Sequence, residues 1–309
     1  MSILEFKNML INNLEHELGS GVEISGITMR KNNGVMREGV SIKRKGMEIA
    51  PSIYIDDLYE QFKQGVSIRH LTRLVLLQYG SLNEDKVLAA SFEENYEKIS
   101  EHVYCKLINY KMNEEFLKEV PYQRWQDLAA VFYYQPDCME LEDMAVMIRN
   151  EFLDIWSVPA SRVASDAWYN SVSKYPPVFR RLTDVIDEMM YEEVGEEMPG
   201  FGTMLMEEEN YRKEEPTPLY LLTNSKRCMG SICICYPGEL DLLSDALGGS
   251  FFILPSSIHE CLILPDDSSA GKDVFDQMVR EINKDQVLPE EVLADHAYYY
   301  SAVDRSIHV

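Results

Sequence analysis

The segment Ser256–Glu260, Ser-Ser-Ile-His-Glu, has the residue types in this chain that are best suited to chemistry. It separates two strongly apolar runs, and Cys261 follows it directly. If residues 258–264 form a strand, side chains alternate between its faces, so His259 and Cys261 share one face. A thiolate and an imidazole in that arrangement could act as a nucleophile and its partner.

A second catalytic arrangement would use Ser256 or Ser257 as the nucleophile and His259 as its base. It needs a third group to orient the imidazole, and no Gly-x-Ser-x-Gly or Ser-x-x-Lys signature surrounds the segment. The same residues fit a polar turn in which His259 bonds to a neighbouring strand or faces solvent. We therefore expect no catalytic residue and treat Ser256, Ser257, His259 and Glu260 as candidate binding residues.

The sequence predicts neither a cofactor nor a metal site. Its six cysteines include no Cys-x-x-Cys pair, and its six histidines form no ligand cluster. Residues 31–34 lack the spacing of a phosphate loop, and the glycines of 195–202 form no dinucleotide fingerprint. The carboxylates of Asp56, Asp57 and Glu60 could hold a divalent cation on one helical face, but helix capping explains them more simply.

The charge balance limits the possible partners. The chain has 52 acidic and 29 basic residues and a formal net charge of −23. This excess argues against direct binding to nucleic acid and against docking on anionic membranes. Solubility explains the acid excess, which peaks between Asp184 and Glu215. A surface that imitates nucleic acid and binds a basic partner is an alternative.

The apolar pattern and the cysteines predict a location. No window approaches ~18 uncharged apolar residues, and the N-terminal residues show no apolar signal core. We expect a cytoplasmic protein with reduced thiols.

Two domains are expected, at residues 1–101 and 102–309. The first combines helices with a hairpin, because Asn33-Gly34 lies between strand-like runs and a type I′ turn needs positive φ at both central residues. The second is an α+β domain with an acidic connection near 192–218.

The C-terminal third predicts an antiparallel sheet covered by helices, in the order β-β-α-β-β-α. The predicted elements are strands at 219–223 and 231–236, a helix at 239–247, strands at 251–254 and 258–264, and a helix at 273–283. Upstream, one helix is expected at 178–191, and Tyr298–Tyr300 favours a final strand. The fold class is therefore α+β.

Three blocks carry a resemblance to a known family. They are Lys31-Asn32-Asn33-Gly34-Val35 with 51–59 (Pro-Ser-Ile-Tyr-Ile-Asp-Asp-Leu-Tyr), then 150–156 with 176–178, and then 221–224, 236–238, 253–265 and 295–300. The chain resembles a bacterial domain family of unknown function that is widespread in gut Firmicutes. Its C-terminal half more distantly resembles a second bacterial family of unknown function. The resemblance implies a bacterial cytoplasmic protein and transfers no catalytic residue.

Together these features predict an interaction or regulatory protein without catalysis, acting on an unidentified protein partner. One alternative is a hydrolase or transferase that uses Ser256, Ser257, His259 or Cys261. The other is an acidic decoy of nucleic acid that occupies a basic partner.

Overall fold

The computed structural model describes residues 1–45, 50, 52–81, 95–135, 145–194, 218–267 and 270–309, with only the backbone of Ser81 and of 189–194. Within these ranges the chain combines helices with three sheets, and every strand pair is antiparallel. The predicted α+β class is confirmed. No described helix is both long enough and apolar enough to cross a membrane.

The N-terminal elements enclose a core of their own. They are α1 (Ile3–Leu18), β1 (Val22–Arg30), β2 (Met36–Arg44), β3 (Ser52–Tyr54), α2 (Asp56–Lys63) and α3 (Ile68–Ser81). Ser2 begins α1 with a capping box, in which its hydroxyl and the Glu5 carboxylate each accept the other's backbone N–H. Apolar residues at helical spacing on α1 then pack on the sheet. The core residues are Phe6, Leu10, Leu14, Val40, Ile42, Ile53, Ile55, Leu71 and Val75.

The predicted Asn33-Gly34 hairpin turn is confirmed. It joins β1 to β2, which pair from Val22 with Arg44 to Arg30 with Met36. Asn33 has φ 59° and ψ 21°, Gly34 has φ 72°, and the Val35 N–H donates to the Asn32 carbonyl at 3.3 Å. Both central residues thus have the positive φ that this turn requires.

A four-stranded sheet forms the middle of the chain. Its region comprises α4 (Tyr96–Ile99), β4 (Val103–Asn109), α5 (Glu114–Leu117), β5 (Tyr122–Trp125), β6 (Leu128–Tyr134), β7 (Val146–Met147), α6 (Asn150–Trp156) and α7 (Ala160–Lys174). The strand order is β4-β6-β5, with β7 paired to β6. All of β6 is buried, because α7 packs over one face and a second apolar cluster with Ile108, Leu117 and Val120 covers the other.

A six-stranded sheet forms the C-terminal part. Its region comprises β8 (Pro177–Arg181), α8 (Leu182–Val194), β9 (Tyr220–Asn224), a 3-10 helix (Gly230–Cys235), α9 (Glu239–Leu247), β10 (Phe251–Pro255), β11 (Cys261–Pro265), α10 (Lys272–Asp285), β12 (Tyr298–Ser301) and β13 (Ser306–His308). The strand order is β13-β12-β10-β11-β9-β8. One face joins the main core through Phe251, Ile253 and Tyr298, and the other packs on Phe275 and Val279 of α10.

Two predicted elements of this region are wrong in detail. Residues 231–236, predicted as a strand, lie mainly in the 3-10 helix, where Ser231 donates both its N–H and its hydroxyl to the Ile258 carbonyl. Residues 178–191, predicted as one helix, begin as β8, because Val178 and Phe179 pair with Thr223 and Leu222 of β9.

The apolar spacing of the sequence also predicts helices at 84–100 and 139–152. Most of the first, residues 139–144 of the second, and nearly all of the acidic connection near 192–218 lie outside the described residues. The described part of the second is the strand β7 followed by α6, which begins at Asn150. Tyr298–Tyr300 forms the predicted strand, as part of β12.

Candidate functional site

The candidate segment Ser256–Glu260 is the loop between β10 and β11. The predicted strand over 258–264 begins only at Cys261, which pairs with Pro255, so alternation does not place His259 and Cys261 on one face. The loop bonds to itself: the His259 N–H donates to Ser257 Oγ at 3.0 Å, and the Ser257 N–H donates to the Glu260 carbonyl at 3.2 Å. The segment thus forms a polar turn after Pro255, which is the alternative to a catalytic arrangement that the sequence also allowed.

The imidazole of His259 holds this loop against two other segments. Its Nδ1 accepts a hydrogen bond from the Met229 N–H at 3.2 Å, so Nδ1 carries no proton there. Its Nε2 lies 3.6 Å from a carboxylate oxygen of Glu291. The side chain is 21% exposed. Both ring nitrogens therefore face groups other than the hydroxyls of Ser256 and Ser257, and this geometry gives no support to a Ser–His nucleophile.

The 3-10 helix approaches the same loop at close range. A Cβ on Gly230 would lie 2.2 Å from Thr223 Oγ1 and 2.7 Å from the His259 carbonyl oxygen, so only glycine fits there. The Thr223 hydroxyl donates to that carbonyl at 2.8 Å. Met229, one residue earlier, adopts φ 51°. The chain is thus turned away from β geometry at 229–230, which explains the 3-10 helix.

Burial shifts the pKa of the two ionisable groups that follow His259, the Glu260 carboxyl and the Cys261 thiol. Cys261 is fully buried, and burial raises the pKa of its thiol, so a nucleophilic thiolate is disfavoured. Burial also raises the pKa of the Glu260 carboxyl. The binding role of Ser256, Ser257, His259 and Glu260 stays a prediction.

The other sequence candidates have structural partners. Asp56 accepts the Glu38 N–H at 3.2 Å, and Glu60 pairs with Lys63 at 2.6 Å. Cys233 and Cys235, whose spacing would place them on one face of the predicted strand at 231–236, belong instead to the 3-10 helix. Within the described part of the chain, no group of three or more His, Cys, Asp or Glu side chains could hold a metal ion.

A pocket lies beside β12 and the start of α9. It has a volume of about 240 Å³. Aromatic and aliphatic side chains form its walls, and Asp241 and Arg305 supply opposite charges. The lining residues are Trp125, Ile234, Cys235, Tyr236, Gly238, Leu240, Asp241, Tyr300, Arg305 and Ile307.

Three separate segments of the chain build this pocket, which we call the β12–α9 pocket. Trp125 ends β5, Tyr236 and Gly238 form the corner before α9, Asp241 lies in the first turn of α9, and Arg305 lies in the β12–β13 turn. Gly238 has φ 76° and redirects the chain into the helix. Sequence reasoning did not find this site, because no local motif contains its charged residues. The sequence signals that could have indicated this site were the corner at Tyr236-Pro237-Gly238 and the tyrosine run at Tyr298–Tyr300.

Asp241 is the electrostatic centre of the pocket. It accepts a hydrogen bond from the Tyr300 hydroxyl, and its Oδ1 lies 3.6 Å from Arg305 Nη1. Burial, followed by the bond to Asp241, raises the pKa of Tyr300 to about 12, so the hydroxyl stays protonated and donates. The Asp241 and Arg305 side chains are 41% and 62% exposed, so their ion pair adds little to stability and remains open to a ligand.

The model of one protein family, described as "Family of unknown function (DUF5688)", matches residues 3–302. The chain belongs to this family. The expected membership of a family of unknown function is thereby confirmed. A search of curated proteins and a search of solved structures returned no match.

The DUF5688 match covers most of the β12–α9 pocket. Trp125, Asp241 and Tyr300 fall inside the matched range, whereas Arg305 and Ile307 lie beyond residue 302. DUF5688 has no assigned activity, so function has to be argued from the site itself.

Proposed function

We propose that this protein binds a small zwitterionic molecule with an apolar or aromatic side group, such as an aromatic α-amino acid, and does not convert it. Its role is then interaction or regulation in response to that ligand. The observation that carries the proposal is the placement of opposite charges, Asp241 and Arg305, at the rim of a pocket with aromatic walls.

Each end of such a ligand has a matching group. The ligand ammonium takes the place of the guanidinium beside Asp241, and the ligand carboxylate bonds to the forked donors of Arg305. Tyr300 holds the Asp241 carboxylate in position through its hydroxyl. Because these polar atoms already pair with each other, the free pocket carries no unbalanced charge.

The walls and the size suit the rest of the molecule. Trp125 and Tyr236 offer ring surfaces that bury apolar area and attract the ammonium group. Pockets for drug-sized ligands span about 300–1,000 Å³. A volume of about 240 Å³ therefore favours a smaller metabolite.

The nearby chemistry supports binding without conversion. Among the described residues, Cys235 is the thiol that lines this pocket, and burial raises its pKa well above the usual value, so the nucleophilic thiolate is scarce. The proposal includes a cytoplasmic location. Its support is that the five cysteines in the described ranges are free thiols, as expected in a reducing compartment.

Calorimetric titration with three matched probes tests the proposal. L-Phenylalanine should bind, whereas phenethylamine, which lacks the carboxylate, and hydrocinnamate, which lacks the ammonium, should each bind about tenfold or more weakly. For a substitution of Asp241, the Asp245→Asn variant is the matched control, because Asp245 lies 3.8 Å from Arg305 but does not line the pocket. Equal affinity for all three probes, or no binding of any, contradicts the proposal.

A further inference from the structure

β1 is the longest strand at a sheet edge in the described part of the chain. Its nine residues, Val22–Arg30, pair with β2 on one side. The strand order β1-β2-β3 places its other side at the rim of the described sheet. None of these residues is buried, and six of them are exposed. β1 therefore presents its backbone to the surface over its whole length.

Hydrogen bonds at the two ends of the hairpin show which backbone groups of β1 point outward. The Lys31 N–H donates to the Val35 carbonyl at 2.7 Å. The Lys45 N–H donates to the Gly21 carbonyl at 3.2 Å. Both pairs continue the β1–β2 register, so the odd-numbered residues of β1 bond to β2, and the N–H and C=O groups of the even-numbered residues point to the open edge. The even-numbered residues are Val22, Ile24, Gly26, Thr28 and Arg30.

The middle of β1 is suited to pairing with another strand. Natural edge strands usually avoid such pairing through short length, prolines, central charges or bulges. From Ile24 to Met29 the sequence has neither a proline nor a charged residue, and the register with β2 continues without a bulge. Residues 1–45 contain seven basic and five acidic residues, in contrast to the net charge of −23 of the whole chain. A second copy can therefore approach here without strong repulsion.

We propose that β1 joins two copies of this chain into a symmetric dimer, by pairing antiparallel with β1 of the second copy. Outward-pointing residues must then bond to outward-pointing residues. With the two-fold axis at Ile27, Gly26 bonds to Thr28 of the second copy, and Ile24 bonds to Arg30 of the second copy. The two N-terminal sheets become one continuous sheet, at a surface separate from the β12–α9 pocket.

Charge complementarity selects this register. With the axis at Ile27, Glu23 lies directly opposite Lys31 of the second copy, and the symmetric pair repeats the contact. Lys31 continues the extended backbone of β1, with φ −93° and ψ −178°. A register centred on Gly26 also pairs outward groups with each other, but it places Glu23 opposite Met29 and leaves both charges without a partner across the interface.

The helix above this edge adds apolar surface to the interface. Ile11 of α1 lies over the strand, since its Cδ1 is 3.5 Å from a Cβ placed on Gly26. Leu4 lies on the same face of α1, two turns earlier, and is 59% exposed. The two-fold axis brings α1 of both copies side by side on one face of the joined sheet, so that Leu4 and Ile11 become shielded from water.

Analytical ultracentrifugation of the full-length protein tests the dimer and its register. The wild type should form a dimer that dissociates on dilution. Glu23→Lys and Lys31→Glu should each raise the dissociation constant about fivefold or more, because like charges then face each other at both symmetric positions. The double variant should restore the wild-type value. Glu17→Lys, at an exposed position of α1 away from Ile11, makes the same change in charge and should leave the dissociation constant unchanged.

Disulfide trapping tests the position of the axis independently. Two residues at position 27 would face each other with Cα atoms about 4.5 Å apart, which a disulfide can bridge. Under copper-catalysed air oxidation, Ile27→Cys should therefore give a dimer linked at position 27, identified by peptide mass spectrometry. Ser25→Cys is the matched control on the same strand face, and it should stay unlinked because it lies opposite Met29. The proposal is overturned if the wild type stays monomeric, if the charge variants behave like Glu17→Lys, or if Ile27→Cys links no faster than Ser25→Cys.

Discussion

Asn33 and Asn113 are joined by two hydrogen bonds of 2.8 Å each. The Asn33 N–H donates to Asn113 Oδ1, and Asn113 Nδ2 donates to Asn33 Oδ1. Asn33 lies at the tip of the β1–β2 hairpin, whereas the buried Asn113 precedes α5. Asn33 Nδ2 also donates to the Val292 carbonyl at 2.7 Å. The turn residues thus connect the N-terminal sheet to two distant segments.

We expect a double-mutant cycle to detect this connection. Asn33→Gly removes the side chain but tolerates positive φ, and Asn113→Ala leaves the part-buried Asn33 N–H without its partner. Asn113→Ala should reduce the free energy of unfolding by about 1–3 kcal/mol, and the pair should show a coupling of about 1 kcal/mol. Urea denaturation measures both. Asn13→Ala, which affects a bond within α1, should be additive with Asn33→Gly; strict additivity of the Asn33 and Asn113 changes would contradict the prediction.

Substitutions of Gly34 should destabilise the fold only through the backbone conformation at this position, and most strongly for β-branched residues. Nothing lies within 4 Å of a Cβ placed there, so the cost comes from φ 72°. Gly34→Val should reduce the free energy of unfolding by about 1 kcal/mol or more, while Gly34→Asn should cost less because asparagine tolerates the left-handed region. Thermal denaturation compares the two variants. An unchanged melting temperature for the valine variant would count against the assigned turn.

His259→Ala should reduce stability, because it removes the acceptor for the Met229 N–H. We expect a loss of about 1 kcal/mol in the free energy of unfolding, measured by urea denaturation. His16→Ala, at an exposed position near the end of α1, should change it by less than about 0.5 kcal/mol. If His259→Ala changes the free energy of unfolding as little as His16→Ala does, but abolishes binding of a ligand, the segment is a binding site and not only a structural turn.

Glu38 should make part of the stability depend on pH. Its hydrogen bond from Lys7 lowers its pKa below the ordinary value of 4.5 in the folded protein. The resulting stabilisation is fully present above that value and is lost as the pH falls through the lower folded pKa. The difference in unfolding free energy between wild type and Glu38→Gln should therefore shrink as the pH falls below 4.5. A difference that stays constant or grows in acid, by urea denaturation, would contradict this assignment.

Much of the fold follows from local sequence signals. The Asn33-Gly34 turn, the capping residue Ser2 and the apolar spacing of α1 are each recognisable within a few residues. The 3-10 helix is different, because its continuous apolar residues have no period that separates a strand from a helix. Its form depends on the close approach of Gly230 to the His259 carbonyl, which is set by residues far along the chain.

The candidate site was less predictable than the fold. The sequence drew attention to His259, whose two ring nitrogens face Met229 and Glu291. Asp241 and Arg305 are 64 residues apart and face one pocket only after the C-terminal sheet has formed.

The most direct test of the proposed function is the calorimetric affinity for L-phenylalanine of the wild-type protein and its Asp241→Asn variant, with Asp245→Asn as the control. Asp241 is the group we expect to bind the ligand ammonium, and it lines the pocket whereas Asp245 does not. The account predicts binding to wild type and to Asp245→Asn with similar affinity, and a loss of about tenfold or more in Asp241→Asn. Equal affinity in all three proteins, or no heat of binding in the wild type, would contradict it.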